Sequence, residues 1–140
     1  MPVISKAEQT KIFTAIGAVR RGKKWVRCVD DANASEAVIE VYRDINGDGR
    51  PEAVVVDSSS YCYGFTGAGY ALVSRNAAGI WKTIDSGIGM IDFLKTKGVG
   101  GWPDMSIGGP GFCFPVLRWN GKAYVLHRHE YEGKRCKPYR

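Results

Sequence analysis

The sequence predicts an α+β domain, in which one N-terminal helix packs on an antiparallel sheet of about six strands stapled by disulfides. The chain has 140 residues, the length of a single domain (residues 1–140) that can bury a core of its own. Eighteen glycines, seven tyrosines and four tryptophans favour strands and tight turns over a helical bundle. No apolar run approaches the roughly 18 residues of a membrane span. A transmembrane segment is therefore not expected.

One helix is predicted at the start of the chain. Ser5 and Glu8 have the spacing of a capping box, in which each side chain accepts a hydrogen bond from a free amide of the first turn. Ile12, Phe13 and Ile16 recur at helical spacing, and a glycine directly after them ends the pattern. This apolar stripe is expected to pack on the sheet.

The rest of the chain is predicted to form a meander of hairpins. β-branched and aromatic residues fill segments 38–42 and 53–56, which flank a turn-rich loop and so predict a central hairpin. Segments 72–81 and 116–124 share the order strand, arginine, asparagine, glycine and returning aromatic, which is typical of hairpins. Further strands or short apolar segments are predicted at 25–28, 70–74, 90–94 and 124–131.

The loop of the central hairpin carries oxygen-bearing side chains on alternate positions. Asp44, Asn46 and Asp48 have the spacing that turns three ligands inward on one hard cation, and Gly49 lies where the sharp turn is required. An EF-hand would close its site with a carboxylate at the twelfth position, which is Val55 here. The loop is therefore not an EF-hand, and it joins two strands instead of two helices.

The pattern D-x-N-x-D-G-x-x-E running directly into a strand resembles the calcium loops of integrin-like FG-GAP and VCBS-type repeats, and more loosely those of dockerins. The resemblance covers only this loop, in one copy, and identifies no family for the whole chain. It implies a structural calcium ion as cofactor, held by Asp44, Asn46, Asp48, the carbonyl of Arg50, and Glu52. The alternative is a polar β-turn without metal, because Asn-Gly and Asp-Gly are also the strongest hairpin dipeptides.

The four cysteines predict two disulfides, because they lie far apart and lack the close pairs of a zinc site. Of the three possible pairings, we favour Cys62 with Cys113 and Cys28 with Cys136, since the first two share a setting of flanking aromatic residues. Two disulfides place the protein in the periplasm or outside the cell. Residues 1–5 lack the basic start and apolar core of a signal peptide, so either a leader has been removed or the secretion inference is wrong.

Basic residues concentrate in segments 20–24 and 134–140 and give the chain a formal charge of +6. Such clusters are compatible with nucleic acid, an anionic membrane surface or an acidic protein, although a solvated basic face is the simpler interpretation and the one we favour. Aromatic residues are hardly interleaved with them, which argues against a stacking platform for single-stranded nucleic acid. No specific nucleic acid is expected as a partner.

Recognisable catalytic motifs are missing. The serines at 58–60 lack the G-x-S-x-G nucleophile elbow, and the glycines at 98–111 lack the Gly-Lys-Ser/Thr of a phosphate loop. Strand alternation puts His127 and His129 on the same face, where they could hold a transition metal with a third ligand from elsewhere. Solvated or core-edge histidines are the simpler interpretation.

Segment 98–112 is predicted to be an exposed, glycine-rich loop that faces a partner. It keeps large apolar side chains that a surface loop normally lacks, and we predict partner contacts from Trp102, Asp104 and Phe112. The alternative is that the apolar residues fold back into the core.

Three functions fit these observations. The leading hypothesis is a non-catalytic binding protein of the bacterial envelope, such as an inhibitor or immunity protein that occludes another protein. The second is a small periplasmic hydrolase, using His127 or His129 with Asp104 or Asp57 as base and orienting group. The third is a basic module that binds anionic envelope polymers.

Overall fold

The structure, a computed structural model, describes residues 4–138 and consists mostly of β-strands. Of the described residues, 48% lie in strands and 15% in helical segments, and they form eleven strands in three sheets. The helices are α1 (Lys6–Ala15) and α2 (Ser60–Tyr63), and 3-10 turns occupy Gly64–Thr66 and Val99–Gly101. The strands are β1 (Val19–Arg21), β2 (Lys24–Val26), β3 (Val38–Arg43), β4 (Glu52–Ser58), β5 (Ala68–Arg75), β6 (Trp81–Ile88), β7 (Met90–Lys97), β8 (Pro103–Gly108), β9 (Phe114–Trp119), β10 (Tyr124–Tyr131) and β11 (Lys134–Arg135).

The strands divide among a two-stranded sheet (β1-β2), a four-stranded sheet (β3-β4-β5-β6) and a five-stranded sheet (β11-β10-β9-β8-β7). The predicted fold, one helix on a single sheet of about six strands, is therefore wrong. Strands adjacent in sequence do pair antiparallel within each sheet, as in a meander. The prediction failed because the chain leaves one sheet and begins the next between β6 and β7.

Gly89 makes this change of sheet. It lies between the end of β6, which pairs with β5, and the start of β7, which pairs with β8. Its φ is +126°, its N–H donates to the carbonyl of Ala68 at 2.9 Å, and an added Cβ would lie 2.6 Å from the carbonyl oxygen of Gly108. Glycine tolerates both the positive φ and the close backbone. Such corners, where a strand switches sheets, are typical of packed β-sheets.

Two clusters of buried apolar residues lie on the two faces of the four-stranded sheet. Between the sheets, Leu72 packs with Trp102 and Met105 of the other sheet. Beneath α1, Ile12 and Phe13 pack on residues of β4, β5 and β6. Burial of apolar surface on both faces accounts for the unbroken apolar character of the central strands.

Helix α1 forms as predicted and ends at Ala15. Ser5 caps it, since its hydroxyl accepts a hydrogen bond from the Glu8 N–H at 3.1 Å. The second half of the predicted capping box differs. The Glu8 carboxylate accepts from Arg75 at 2.9 Å and from the indole N–H of Trp81 at 2.8 Å, and so anchors the helix to β5 and β6.

The structure contains two disulfides, as predicted in number, but Cys28 is bonded to Cys62 and Cys113 to Cys136, with Cα–Cα distances of 6.2 and 5.7 Å. The predicted pairs, Cys62 with Cys113 and Cys28 with Cys136, are wrong. Hydrogen bonding brings both true pairs together. The N–H of Cys136 donates to the carbonyl of His129, whose strand pairs with β9, the strand that directly follows Cys113. The hydroxyl oxygen of Ser59 accepts from the N–H of Cys62 at 3.2 Å and lies 3.4 Å from the Sγ of Cys28. Flanking aromatic residues carry no information about this adjacency.

All four cysteines are oxidised, which indicates an oxidising, extracellular compartment. Over residues 4–138, none of the helices has the length and apolarity needed to cross a bilayer.

Candidate functional site

The Asp44 loop joins β3 to β4, so the predicted central hairpin is confirmed. Asp44 organises it: one carboxylate oxygen accepts from the N–H of Gly47 and the other from that of Gly49, each at 2.8 Å. Both glycines have positive φ, 84° and 85°. The side chains of Asn46 and Asp48 accept from main-chain N–H groups two residues further on. These bonds turn the chain without any ion, as in a polar hairpin turn.

The same loop also concentrates negative charge. Carboxylate oxygens of Asp44, Asp48 and Glu52 all lie within 4.8 Å of one another. Glu52 is fully buried, and its two oxygens accept from the N–H of Ile45 at 2.7 Å and from the hydroxyl of Ser74 at 3.1 Å. Burial raises the pKa of Glu52, and the charge of Asp48 adds to this rise against the lowering effect of the two hydrogen bonds. Oxygen donors so close together match the preference of a hard cation such as Ca²⁺.

Arg50 provides a competing positive charge in the loop. Its guanidinium lies 3.1 Å from the Asp48 carboxylate, and its Nε donates to the carbonyl of Arg75 at 3.2 Å. The resemblance to calcium loops assigned the Arg50 carbonyl as a ligand, whereas the side chain of the same residue neutralises part of the cluster. A bound cation would have to displace or share this ion pair.

The loop packs directly against the core between the sheets. Ile45 is buried in the cluster that contains Trp102, and a Cβ on Gly101 would lie 2.6 Å from the carbonyl oxygen of Asn46. The loop therefore contacts the surroundings of Trp102 through the side chain of Ile45 and the main chain of Asn46.

Segment 98–112 is not the exposed loop that the sequence predicts, because residues 103–108 form β8. Trp102 is 8% exposed and packs near Trp119 and Tyr124, with ring centroids at 5.3 and 6.2 Å. Asp104 is fully buried. Of the three predicted partner contacts, only Phe112 lies on the surface, at 66% exposure. Trp102 and Met105 fold back into the core, as in the alternative interpretation, whereas Phe112 does not.

Asp104 is the centre of a buried ionic network. Its carboxylate accepts from the hydroxyl of Thr96 at 2.5 Å, from Arg118 at 2.9 and 2.8 Å, and from Arg128 at 2.9 Å. Arg128 also donates to Glu130. Burial alone raises the pKa of Asp104, but the hydrogen bonds from Arg118, Thr96 and Arg128 outweigh it and hold that pKa well below its usual range. The side chain of Asp104 is thus held as a carboxylate, and both of its oxygens already accept hydrogen bonds from other side chains.

Among the described residues, neither His127 nor His129 forms a hydrogen bond with Asp57 or Asp104, the residues proposed for a hydrolase. Asp104 is held by arginines, and Asp57 accepts from the hydroxyl of Tyr63 at 2.9 and 2.8 Å and lies 3.7 Å from Arg27. The ring nitrogen of His127 contacts a guanidinium nitrogen of Arg128 at 3.0 Å. A bulge in β10 between residues 126 and 128 also interrupts the alternation that put the two histidines on one face.

Eight large apolar residues in the described part of the chain are at least 53% exposed, and five of them lie in or beside the α2 turn, the Gly89 corner and the loop before β9; the other three are Ile80, Val99 and Leu126. A Cβ on Gly109 would lie 3.7 Å from Thr66, and Gly108 pairs with Met90. We define as the apolar end the five residues Tyr61, Phe65, Ile88, Met90 and Phe112, each at least 53% exposed. The side chain of Phe65 is fully exposed. Sequence reasoning missed Phe65, and its position beside Cys62 in a Tyr- and Gly-rich turn was the available signal.

A groove of about 850 Å³ is lined by Ile88 and Phe112 of the apolar end and by Thr66, the neighbour of Phe65. Phe112 and Phe114 supply its aromatic lining, and Tyr131 supports them with a ring centroid 5.9 Å from Phe112 and 5.8 Å from Phe114. The ionisable side chains that line it within the described residues are His129 and Lys137. The groove therefore combines apolar walls with a cationic rim.

No family model matches the chain, and neither does any solved structure. A curated NAD-dependent protein deacetylase from Caldivirga maquilingensis is 37% identical over 59 residues, which cover 39% of this chain and 23% of the deacetylase. The chain thus spans less than a quarter of the length of this curated relative. A likeness of this extent assigns neither a family nor an activity.

Proposed function

We propose that this chain is a non-catalytic binding domain of the bacterial envelope, periplasmic or secreted, that docks on another protein and occludes one of its sites, as an inhibitor or immunity protein does. Its binding surface is the apolar end.

One observation carries this proposal: each disulfide lies beside an exposed phenylalanine. Cys62 is followed three residues later by Phe65, and Cys113 directly follows Phe112. Cys113 has a φ of +62°, a conformation that its covalent bond to Cys136 helps to hold. The disulfides restrain the backbone that carries both phenylalanines, so less conformational entropy is lost when this surface binds a partner. Contiguous exposed apolar surface on a domain commonly marks a binding site.

Calcium is proposed as a structural ion in the Asp44 loop. The close carboxylates of Asp44, Asp48 and Glu52 support it, with Asn46 as a further oxygen donor. When bound, the ion would neutralise the cluster and brace the β3–β4 turn. The chain's own residues hold the turn through the hydrogen bonds of Asp44, so calcium would add stability to a turn that already forms.

Site-specific photo-crosslinking tests the proposal. A photoreactive phenylalanine analogue is placed at Phe65, at Phe112, or at the control position Ile80, which is 62% exposed on the β5–β6 turn. After irradiation in envelope extract, we expect the same protein to be crosslinked from positions 65 and 112 and not from position 80.

Competition provides the decisive comparison. Excess unlabelled protein should abolish the crosslink, whereas the Phe65→Ala/Phe112→Ala variant should not, although it melts within a few degrees of the wild type. Equal crosslinking from all three positions, or equal competition by the double variant, would contradict the assignment of the apolar end.

A further inference from the structure

A second groove, of about 920 Å³, lies between α1, the β1–β2 hairpin and the start of β3. We call it the α1–β3 groove. Its lining includes Lys6 and Phe13 of the helix, Arg20, Lys23 and Trp25 of the hairpin, and residues 36–39. None of these residues belongs to the apolar end or to the Asp44 loop.

Two stacked aromatic rings form the floor of this groove. Phe13 and Trp25 have ring centroids 5.2 Å apart and planes inclined by 14°. Phe13 is buried in the core beneath α1, whereas Trp25 is only partly covered. The guanidinium of Arg20 lies 5.3 Å from the centroid of the Trp25 ring. The floor therefore offers an apolar surface with a cation at its margin.

One wall of the groove is the edge of a β-strand. The groove is lined by residues 36–37, directly before β3, and by Val38 and Ile39, the first two residues of β3. Successive side chains of a strand point to opposite faces, so two neighbouring strand residues both line a space when the strand presents its edge to it. Strand β3 is the terminal strand of its sheet, with β4 on its other side. Such an edge offers unpaired N–H and C=O groups to another chain.

The hairpin already begins to extend the sheet in this direction. The N–H of Ala37 donates to the carbonyl of Trp25 at 2.9 Å, just before β3 starts. Beyond this bond the outer edge of Val38 and Ile39 continues along the groove, up to the bulge that lies between Ile39 and Val41. The space can therefore accept a short extended segment, and the bulge limits how far it can pair.

The charge around the groove selects the partner. Lys6, Arg20 and Lys23 are exposed, and in the described residues none of them forms an ion pair with a carboxylate; Arg20 donates instead to the carbonyl of Gly22 at 3.2 Å. Glu36 is the single acidic residue in the lining. Three cations against one carboxylate attract an anionic ligand.

We propose that the α1–β3 groove binds an extended acidic peptide segment of a partner protein, which adds to the edge of β3 as a further strand. Main-chain hydrogen bonds to β3 supply affinity, an apolar side chain covers Phe13 and Trp25, and carboxylates pair with Lys6, Arg20 and Lys23. An anionic polysaccharide would match the charge, but it would leave the edge of β3 without a hydrogen-bonding partner. The proposal is independent of the function of the apolar end.

NMR titration with a defined probe tests it. The probe is a capped hexapeptide of alternating glutamate and valine, added to the uniformly ¹⁵N-labelled full chain. We expect chemical-shift changes concentrated in the amides of residues 36–41 and in the indole of Trp25. A lysine–valine hexapeptide of the same length should produce none of them, because it carries the opposite charge. Replacing the central valine with proline should weaken binding, because proline lacks an N–H donor.

Matched charge variants locate the site. Arg20→Glu/Lys23→Glu should weaken binding of the glutamate peptide by roughly tenfold or more, since several exposed ion pairs become repulsive. Lys122→Glu, an equally exposed change on the β9–β10 turn, should leave it within about twofold. Dispersed amide spectra confirm that each variant is folded.

Three results would overturn the proposal: equal binding of the lysine and glutamate peptides, shifts centred outside the α1–β3 groove, or equal losses in the groove and control variants. Binding of an oligoglucuronate at the cations without shifts at residues 38–40, together with no response to the peptide, would identify the groove as a polysaccharide site instead.

Discussion

Among the described residues, Asp104 is the carboxylate that accepts the most hydrogen bonds from side chains. Its carboxylate has no exposed surface, and its four hydrogen bonds come from β7, β9 and β10. A substitution that removes this carboxylate deprives Arg118 and Arg128 of the anion that both of them bind. Removal of the buried partner of an ionic network is more harmful than replacement of the whole network. Without Asp104, the buried Arg128 keeps only Glu130 as a carboxylate partner, and the partly exposed Arg118 keeps none in the described residues.

Asp104→Asn is therefore expected to destabilise the protein by about 3 kcal/mol, measured by urea unfolding at pH 7. Asp92→Asn makes the same chemical change at an exposed position of β7 and should stay within about 0.5 kcal/mol of the wild type. Similar losses in both variants would show that the network contributes nothing specific.

The same residue predicts a pH dependence. The pKa of Asp104 is lower in the folded than in the unfolded chain, so its contribution is complete above the ordinary carboxyl pKa and is lost as the pH falls below it. The difference in unfolding free energy between wild type and Asp104→Asn should therefore shrink as the pH is lowered from about 5 to 2. A difference that stays constant over this range would contradict the lowered pKa.

Among the elements, the β3–β4 hairpin has both a hydrogen-bonded turn and a cluster of negative charge at the same position. Asp44 closes the turn with hydrogen bonds, while the carboxylates around it leave a concentrated negative charge. Ile45 packs in the same buried cluster as Trp102. Ion binding in the turn should therefore change the environment of this tryptophan.

Calcium is expected to raise the melting temperature and to change tryptophan fluorescence, with about 2.7 kcal/mol added when calcium is at one hundred times its dissociation constant. Asp48→Ala should abolish both effects. Asp30→Ala, in the exposed loop after β2, should leave them unchanged. Melting curves that do not move at millimolar calcium would leave the hairpin as a polar turn.

The Gly89 corner is the second element that can be tested alone. Gly89→Ala should cost about 2 kcal/mol or more, since the added Cβ meets main-chain atoms and the φ of +126° disfavours any side chain. Gly133→Ala provides the control, because Gly133 also has a positive φ, +81°, but open space around it. Its loss in thermal unfolding should be about 1 kcal/mol. Equal losses would show that strain alone, without the close approach, limits the corner.

At the scale of the whole molecule, local patterns predicted local structure well. The capping residue Ser5 correctly predicted the start of α1, and the turn dipeptides around Gly47 correctly predicted the central hairpin. The division into sheets was not predictable, because Gly89 is a single glycine between two ordinary strand segments. The burial of Trp102 was predicted only as an alternative, since the surrounding glycines suggested an exposed loop while Met105 belonged to β8 and Trp102 to the core.

The disulfide pairing adds a prediction at this scale. Non-reducing peptide mapping should recover Cys28 linked to Cys62 and Cys113 linked to Cys136. Replacing either pair by serines should lower the unfolding free energy by roughly 3–4 kcal/mol, because each bond closes a loop of moderate length in the unfolded chain. Peptides that join Cys62 to Cys113 would contradict the structure.

Each disulfide also encloses an exposed turn. The Asp44 hairpin lies within the loop closed by Cys28 and Cys62, and the β9–β10 turn lies within the loop closed by Cys113 and Cys136. A protease that cuts either turn would leave two pieces still joined covalently and still paired within the sheet. On a denaturing gel, cut molecules would therefore migrate as one species until the disulfides are reduced. The two disulfides thereby allow the protein to keep its fold after proteolytic cleavage of either turn.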